Sequence, residues 1–287
     1  MSHIRQVGLV GIENSHAEEI IRYLNIECND GPVRVSAIVR GEPGRTTDVA
    51  QLGSIDTVVD GSGDLLGAVD ALIVTSRDGA MHAQHAVPFL ERGTPVWVDK
   101  PLAASIADAE AIVAAGERGG GMFTSSSALR WVPDTTAILE EIATIGPLQA
   151  LTVTGPADPD SKYSGIFFYG IHAADVAQRL IPGRPSTVDV RLTAGAVIAQ
   201  YRISGILVTL ELIRPDADRS VPFRASAIGR HGVVRREITL PDDYVRPGAD
   251  AFITMLRSGV PPIPVSEMLA PIAILDSVRT QLAAARQ

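Results

Sequence analysis

Asp99-Lys100-Pro101 places a carboxylate and a primary amine directly before a proline. A lysine amine at the end of a buried strand can give a proton to a developing alkoxide, or take one from an alcohol, once burial lowers its pKa. Pro101 restricts Lys100 to extended backbone, which aims the amine instead of winding it into the next helix. The tripeptide by itself fits equally a strand-ending lysine that only reaches water. Gly11-Ile12-Glu13-Asn14-Ser15-His16 offers a glycine turn with polar side chains suited to a pyrophosphate. Gly170-Ile171-His172-Ala173-Ala174-Asp175 sets an imidazole two residues after a glycine and three before a carboxylate able to orient it, with Tyr169 as a spare proton carrier alongside.

The elements that must hold these groups follow from apolar runs and turn signals. Val96-Trp97-Val98 is a short run of β-formers between Gly93-Thr94 and Pro101, so Lys100 falls at the C-terminal end of a parallel strand, where open α/β sheets bind ligands. Gln6–Gly11 is a first strand, and Ser15-x-x-Glu18 is a capping box that starts the following helix near His16. In a G-x-G-x-x-G fingerprint beginning at Gly11, the second glycine is Glu13 and the third is His16. Either the glutamate swings aside, and Asn14, Ser15 and the helix N–H groups hold the phosphates, or no dinucleotide binds. Where a dinucleotide does bind, Glu13 is expected to weaken it by bulk and like charge. Gly11, Ile12, Asn14, Ser15 and His16 are the expected contacts.

Val33–Val39 is the second strand. The residue after it is Arg40, where an NAD site usually carries an acid. An arginine there either lies solvated in its loop or stacks on adenine and pairs with a 2′-phosphate, which favours NADP. Ala71–Thr75 is a strand ending in a polar turn, so Thr75 and Ser76 stand at the same sheet edge. His82, near the start of the helix Met81–Arg92, either faces the nicotinamide end or packs. Strand and helix alternate from Gln6 to Ser125, the pattern of a Rossmann-type doubly wound parallel sheet.

Six short runs with partial period-two alternation, between Leu148 and Leu240, predict a mostly antiparallel open sheet in a second, α+β domain. The helix Ile171–Leu180 lies against it, and two closing helices, Ala249–Arg257 and Glu267–Ala285, pack back. The expected boundary puts a dinucleotide-binding domain at 1–127 and a substrate and oligomerisation domain at 128–287. An open sheet face invites a homodimer or higher homo-oligomer.

Composition narrows the class. The 287 residues suit about two domains, and 46% hydrophobic residues supply two cores. A net charge of −8 argues against nucleic acid as main partner. No run has the length of a membrane span, and the N-terminus M-S-H-I-R-Q has no secretory segment. The single cysteine, Cys28, leaves no disulfide framework and no cysteine cluster for zinc. A cytoplasmic protein with a small-molecule substrate, no bound metal and no membrane is expected.

Together these motifs resemble the Gfo/Idh/MocA family of two-domain oxidoreductases, named for glucose–fructose oxidoreductase and inositol dehydrogenase. Asp99-Lys100-Pro101 is similar to the family's E-K-P. Arg130-Trp131-Val132-Pro133 is similar to its R-[FY]-x-P crossover, and Gly170 to Asp175 to its G-x-H-x-x-D. The resemblance implies that Lys100 and His172 lie opposite the nicotinamide of NADP or NAD and form the acid/base pair, with Tyr169 and Asp175 in support. It adds Thr75, Ser76, His82, Asp99, Lys100 and Arg130 to Gly11, Ile12, Asn14, Ser15, His16 and Arg40 as expected cofactor contacts. Three positions depart from the pattern: Phe168 replaces an aspartate four residues before the histidine, Thr75-Ser76-Arg77-Asp78-Gly79 replaces a T-P-N turn, and Glu13 replaces glycine. The chain thus resembles a branch apart from the sugar and inositol dehydrogenases. The implied activity is NAD(P)-dependent oxidoreduction of a small polyol, sugar or related hydroxy compound. A sensor that binds a sugar-like ligand without turnover, and a lyase or hydrolase using a tightly bound nicotinamide, are the alternatives.

Overall fold

Apolar runs flanked by glycine and proline become strands here, and the longer periodic stretches become helices. The computed structural model describes residues 4–216 and 220–285. In the first half, strands β1 (Arg5–Val10), β2 (Val33–Val39), β3 (Thr57–Val59), β4 (Ala71–Val74), β5 (Val96–Val98) and β6 (Phe123–Thr124) alternate with helices α1 (Ser15–Ile21), α2 (Pro43–Gly53), α3 (His82–Leu90) and α4 (Ile106–Gly119). The strand order is β3-β2-β1-β4-β5-β6, every pairing parallel. This is a doubly wound sheet whose order reverses between β1 and β4. All residues of β4 and β5 are buried, as strands covered on both faces must be.

Helix α2 was not foreseen: Gly44, Thr46 and Thr47 are weak helix formers. Glu42 caps it by accepting from Arg45 N–H, and Pro43 occupies its first turn.

In the second half, α5 (Pro133–Ile142) leads into β7 (Leu148–Pro156) and α6 (Phe167–Leu180). Then come β8 (Asp189–Leu192), β9 (Ala196–Ile203), β10 (Ile206–Ile213), β11 (Phe223–Gly229) and β12 (Val233–Ile238). The sheet order is β12-β11-β7-β10-β9-β8, antiparallel except for β7 with β10. Two helices close the chain, α7 (Arg246–Ser258) and α8 (Val265–Ala285). Among the described residues, no helix is long and apolar enough to cross a membrane.

Helix α6 begins at Phe167, a turn earlier than the glycine suggested, so His172 lies inside it and not at its start. Gly170 does not break the helix, because it serves close packing: a Cβ there would stand 3.3 Å from the Leu275 side chain of α8.

The chain divides into two compact units. The first holds the described residues up to Ala103, Ala107–Ser126 and Val245–Ile263; the second holds Ala104–Ile106, Ser127–Tyr244 and the described residues from Pro264 on. Helix α7 therefore counts with the parallel sheet. Trp97 of β5 meets Phe252 of α7 at 5.7 Å between ring centroids, and Arg5 donates to the Leu256 carbonyl at 3.1 Å.

Candidate functional site

In the first unit, the turns after β1, β4 and β5 are tied together at the C-terminal edge of the sheet. Gly11 has φ +92°, and a Cβ on it would lie 2.2 Å from the Ser76 nitrogen, so only glycine fits. Thr75 is fully buried, and its hydroxyl donates to the Gly11 carbonyl at 2.7 Å. Asn14 is the N-cap of α1: its Oδ1 accepts from Ala17 N–H at 3.2 Å, while its amide donates to the Thr75 carbonyl. The cap is thus Asn14, one residue before the expected Ser15, which lies exposed in the first turn. Glu18, the expected partner of Ser15, is ion-paired with Arg45.

Arg45 was missed by sequence reasoning, and 33 residues of separation left no local signal. It donates to the Ile12 carbonyl at 2.7 Å and to the Asn14 carbonyl at 2.8 Å, fastening the glycine turn from the side of α2. Ile12 is fully buried. Arg40 projects from the end of β2 and pairs with Asp60 at 2.8 Å, both side chains exposed. The Glu13 side chain extends over Gly41, just past β2, where its Oε1 fills the space of an absent side chain. Glu13 thus adopts the swung-aside arrangement, and the tight turn that a pyrophosphate needs is retained at Gly11.

The turn after β5 carries the densest electrostatics of this unit. His16 Nδ1 lies 2.8 Å from Asp99 Oδ2. Burial works against the Asp99 charge. The His16 imidazole, by charge and hydrogen bond, with Lys100 and His82 adding, still holds this carboxyl below the ordinary carboxylate range. Lys100 is half-buried, and loss of solvent lowers its pKa, with Asp99 opposing and Arg77 adding to the drop. The Lys100–Pro101 peptide is cis. His82 is fully enclosed: Nδ1 lies 2.7 Å from the Pro101 carbonyl and Nε2 2.8 Å from the Ser76 carbonyl. Its ring joins the β4 and β5 turns, the packed arrangement of the two considered from sequence. Burial lowers its pKa, while the two carbonyls and Asp99 pull the other way.

The second unit builds a separate constellation on α6. His172, 6% exposed, has its Nδ1 2.6 Å from the Ser127 hydroxyl. That hydroxyl also accepts from Leu129 N–H at 3.1 Å, and Ser127 N–H donates to Asp175 Oδ2 at 2.8 Å. Asp175 thus supports the histidine through Ser127. Its other oxygen takes Arg130 Nη1 at 2.9 Å, and Arg130 also pairs with Glu267. Burial pushes the Asp175 carboxyl up, opposed by Arg130 and Ser127 N–H. Arg130, 3% exposed and bound to two carboxylates, braces this unit.

Around His172 stands an aromatic wall. Tyr169, 45% exposed, packs at 5.7 Å from the imidazole; Phe168 meets Tyr169 edge-on at 5.0 Å and Tyr163 at 4.9 Å. Phe223 closes the other side at 5.5 Å from His172, in space left by Gly155, whose Cβ would stand 2.6 Å from that ring. Among the described residues, no group of three or more His, Cys, Asp or Glu side chains could hold a metal ion.

Residues 5–126 match the family model described as an oxidoreductase family with an NAD-binding Rossmann fold. The chain is 27% identical over 293 residues to inositol 2-dehydrogenase 3 of Saccharopolyspora erythraea, covering 89% of this chain and 84% of that protein. The crystal structure of myo-inositol 2-dehydrogenase from Lactobacillus plantarum is similar with a TM-score of 0.82 at 14% identity, covering 99% of this chain and 98% of that one. The WlbA dehydrogenase from Bordetella pertussis, solved with NADH and UDP-GlcNAcA, is similar with a TM-score of 0.81 at 18% identity, covering 99% and 97%. At these identities the structural likeness is one of fold.

Proposed function

We propose that the chain, whose residues 5–126 match the oxidoreductase family model and whose fold is shared by inositol dehydrogenases, is a Gfo/Idh/MocA-type NAD(P)-dependent dehydrogenase of a small polyol, sugar or related hydroxy compound. The retained turn at Gly11, with Glu13 displaced over Gly41, suits a dinucleotide. A bound nicotinamide would supply the acceptor for the hydride that leaves the substrate carbon.

The chain's own residues handle the oxygen. Lys100 holds it: its lowered pKa makes the ammonium a stronger hydrogen-bond donor toward an oxygen gaining negative charge. His172 takes the hydroxyl proton. The Ser127 hydroxyl is hydrogen-bonded at Nδ1 and orients the ring for that proton transfer. Tyr169, beside the imidazole, is placed in the substrate wall.

The single observation that carries this reading is the Ser127–His172 hydrogen bond within a half-aromatic wall. One observation favours the ligand-binding alternative: Phe168 stands where the family pattern has an aspartate, which leaves His172 beside aromatic rings. The two separate on mixing the protein with NAD, or NADP, and a panel of cyclic polyols beginning with myo-inositol. Formation of reduced nicotinamide supports the dehydrogenase, and saturable polyol binding without reduction supports the sensor. The same reading sets the enzyme in the cytoplasm as a homo-oligomer, which light scattering would measure.

A further inference from the structure

We propose that Glu13 supplies the carboxylate that holds the adenosine ribose hydroxyls, and so selects NAD over NADP; the inference rests on the dinucleotide reading above. In doubly wound sheets an acid just past the second strand does this work. Here Arg40 stands at that place, and three acidic side chains lie around it. Asp60 is taken by Arg40 at 2.8 Å. Glu42 is spent on the start of α2, accepting Arg45 N–H at 2.9 Å. Glu13 is exposed and, among the described residues, has no hydrogen-bond or ion-pair partner.

The position of Glu13 is the telling point. Its Oε1 lies 2.3 Å from where a Cβ on Gly41 would be, two residues past the end of β2. Gly41 has no left-handed φ, so its backbone does not call for glycine. The room its missing side chain leaves is filled by the Glu13 carboxylate and by Ile12. A substitution in the glycine turn of β1 thus restores, from the neighbouring strand, the acid that β2 lacks. A carboxylate there accepts from two vicinal hydroxyls and repels a 2′-phosphate. This reverses both expectations drawn from sequence, that Glu13 opposes the cofactor and that Arg40 favours NADP. Arg40 is turned to Asp60 at 2.8 Å, whereas the carboxylate that fills the space at Gly41 is that of Glu13.

Fluorescence titration of the whole protein with NADH and NADPH tests this without turnover. Wild type is expected to bind NADH at least about tenfold tighter than NADPH. Glu13→Gln should weaken NADH by about tenfold and leave NADPH equal or tighter. Gly41→Ala, which displaces the carboxylate, should shift both in the same direction, and Arg40→Ala should keep the NADH preference. If both cofactors bind and Glu13→Gln leaves their ratio unchanged, the assignment of Glu13 falls while the dinucleotide reading stands. If wild type binds neither, both fall.

Discussion

The Ser127 hydroxyl lies 2.6 Å from Nδ1 of His172, and the backbone N–H of the same serine donates to Asp175 at 2.8 Å. One residue thereby fixes the imidazole with its side chain and the supporting carboxylate with its main chain. Ser127→Ala is expected to lower kcat/KM by about thirtyfold, the equivalent of one hydrogen bond of about 2 kcal/mol. The acid limb of the pH–rate profile should shift as well, and Ser127→Thr should restore most of the rate. An unchanged profile in Ser127→Ala would assign the serine to capping the Ala128–Arg130 turn alone.

Lys100 has its pKa lowered from 10.5 by burial. A cation that must hold the substrate oxygen is lost as pH rises through that lowered value. The basic limb of kcat/KM should therefore fall below pH 10.5. Lys100→Arg, which stays charged, should push that limb upward even as it slows the reaction. A basic limb identical in the two proteins would assign it to another group.

Asp99 gives a stability prediction with a definite sign. Its folded pKa is depressed, so its contribution is present above the unfolded value of about 4 and is lost as pH falls toward the folded one. Asp99→Asn should cost about 2 kcal/mol at neutral pH, by loss of the charged bond to His16, and progressively less below about pH 4. Denaturant unfolding across that range reads it. A cost that does not change with pH would show that Asp99 matters only as a shape.

Arg130 is expected to matter for folding and not for the cofactor. Arg130→Met strands Asp175 inside the second unit and should destabilise it by about 3–5 kcal/mol. Where the variant remains folded, NADH affinity should lie within about threefold of wild type. A selective loss of NADH affinity at unchanged stability would return Arg130 to the cofactor.

Much of this was legible in the sequence because the signals are local. Buried parallel strands read as apolar runs, Val96-Trp97-Val98 among them, and Lys100 follows from one such run and the proline behind it. The six strands of the second sheet show through their alternation. What escaped depends on distance along the chain. Arg45 fastens Ile12 from 33 residues away, and Ser127 meets His172 across 45. Arg130 and His82 read as site residues because a polar group in a motif suggests a ligand. Their partners, Asp175 and Glu267 for one and two backbone carbonyls for the other, become visible only when the chain is folded. Helix α6 begins early for a similar reason, since Gly170 answers to Leu275 on α8 and not to its own neighbours.

The proposed roles of Lys100 and His172 in one turnover are tested most directly by steady-state reduction of the nicotinamide by wild type, Lys100→Met and His172→Ala, each paired with NADH titration. On the proposed mechanism each variant loses at least about 10³-fold in kcat while its NADH affinity stays within about threefold of wild type. The double variant should be no worse than the poorer single one, as expected for groups that act as a unit. Wild-type turnover in either single variant would contradict the mechanism.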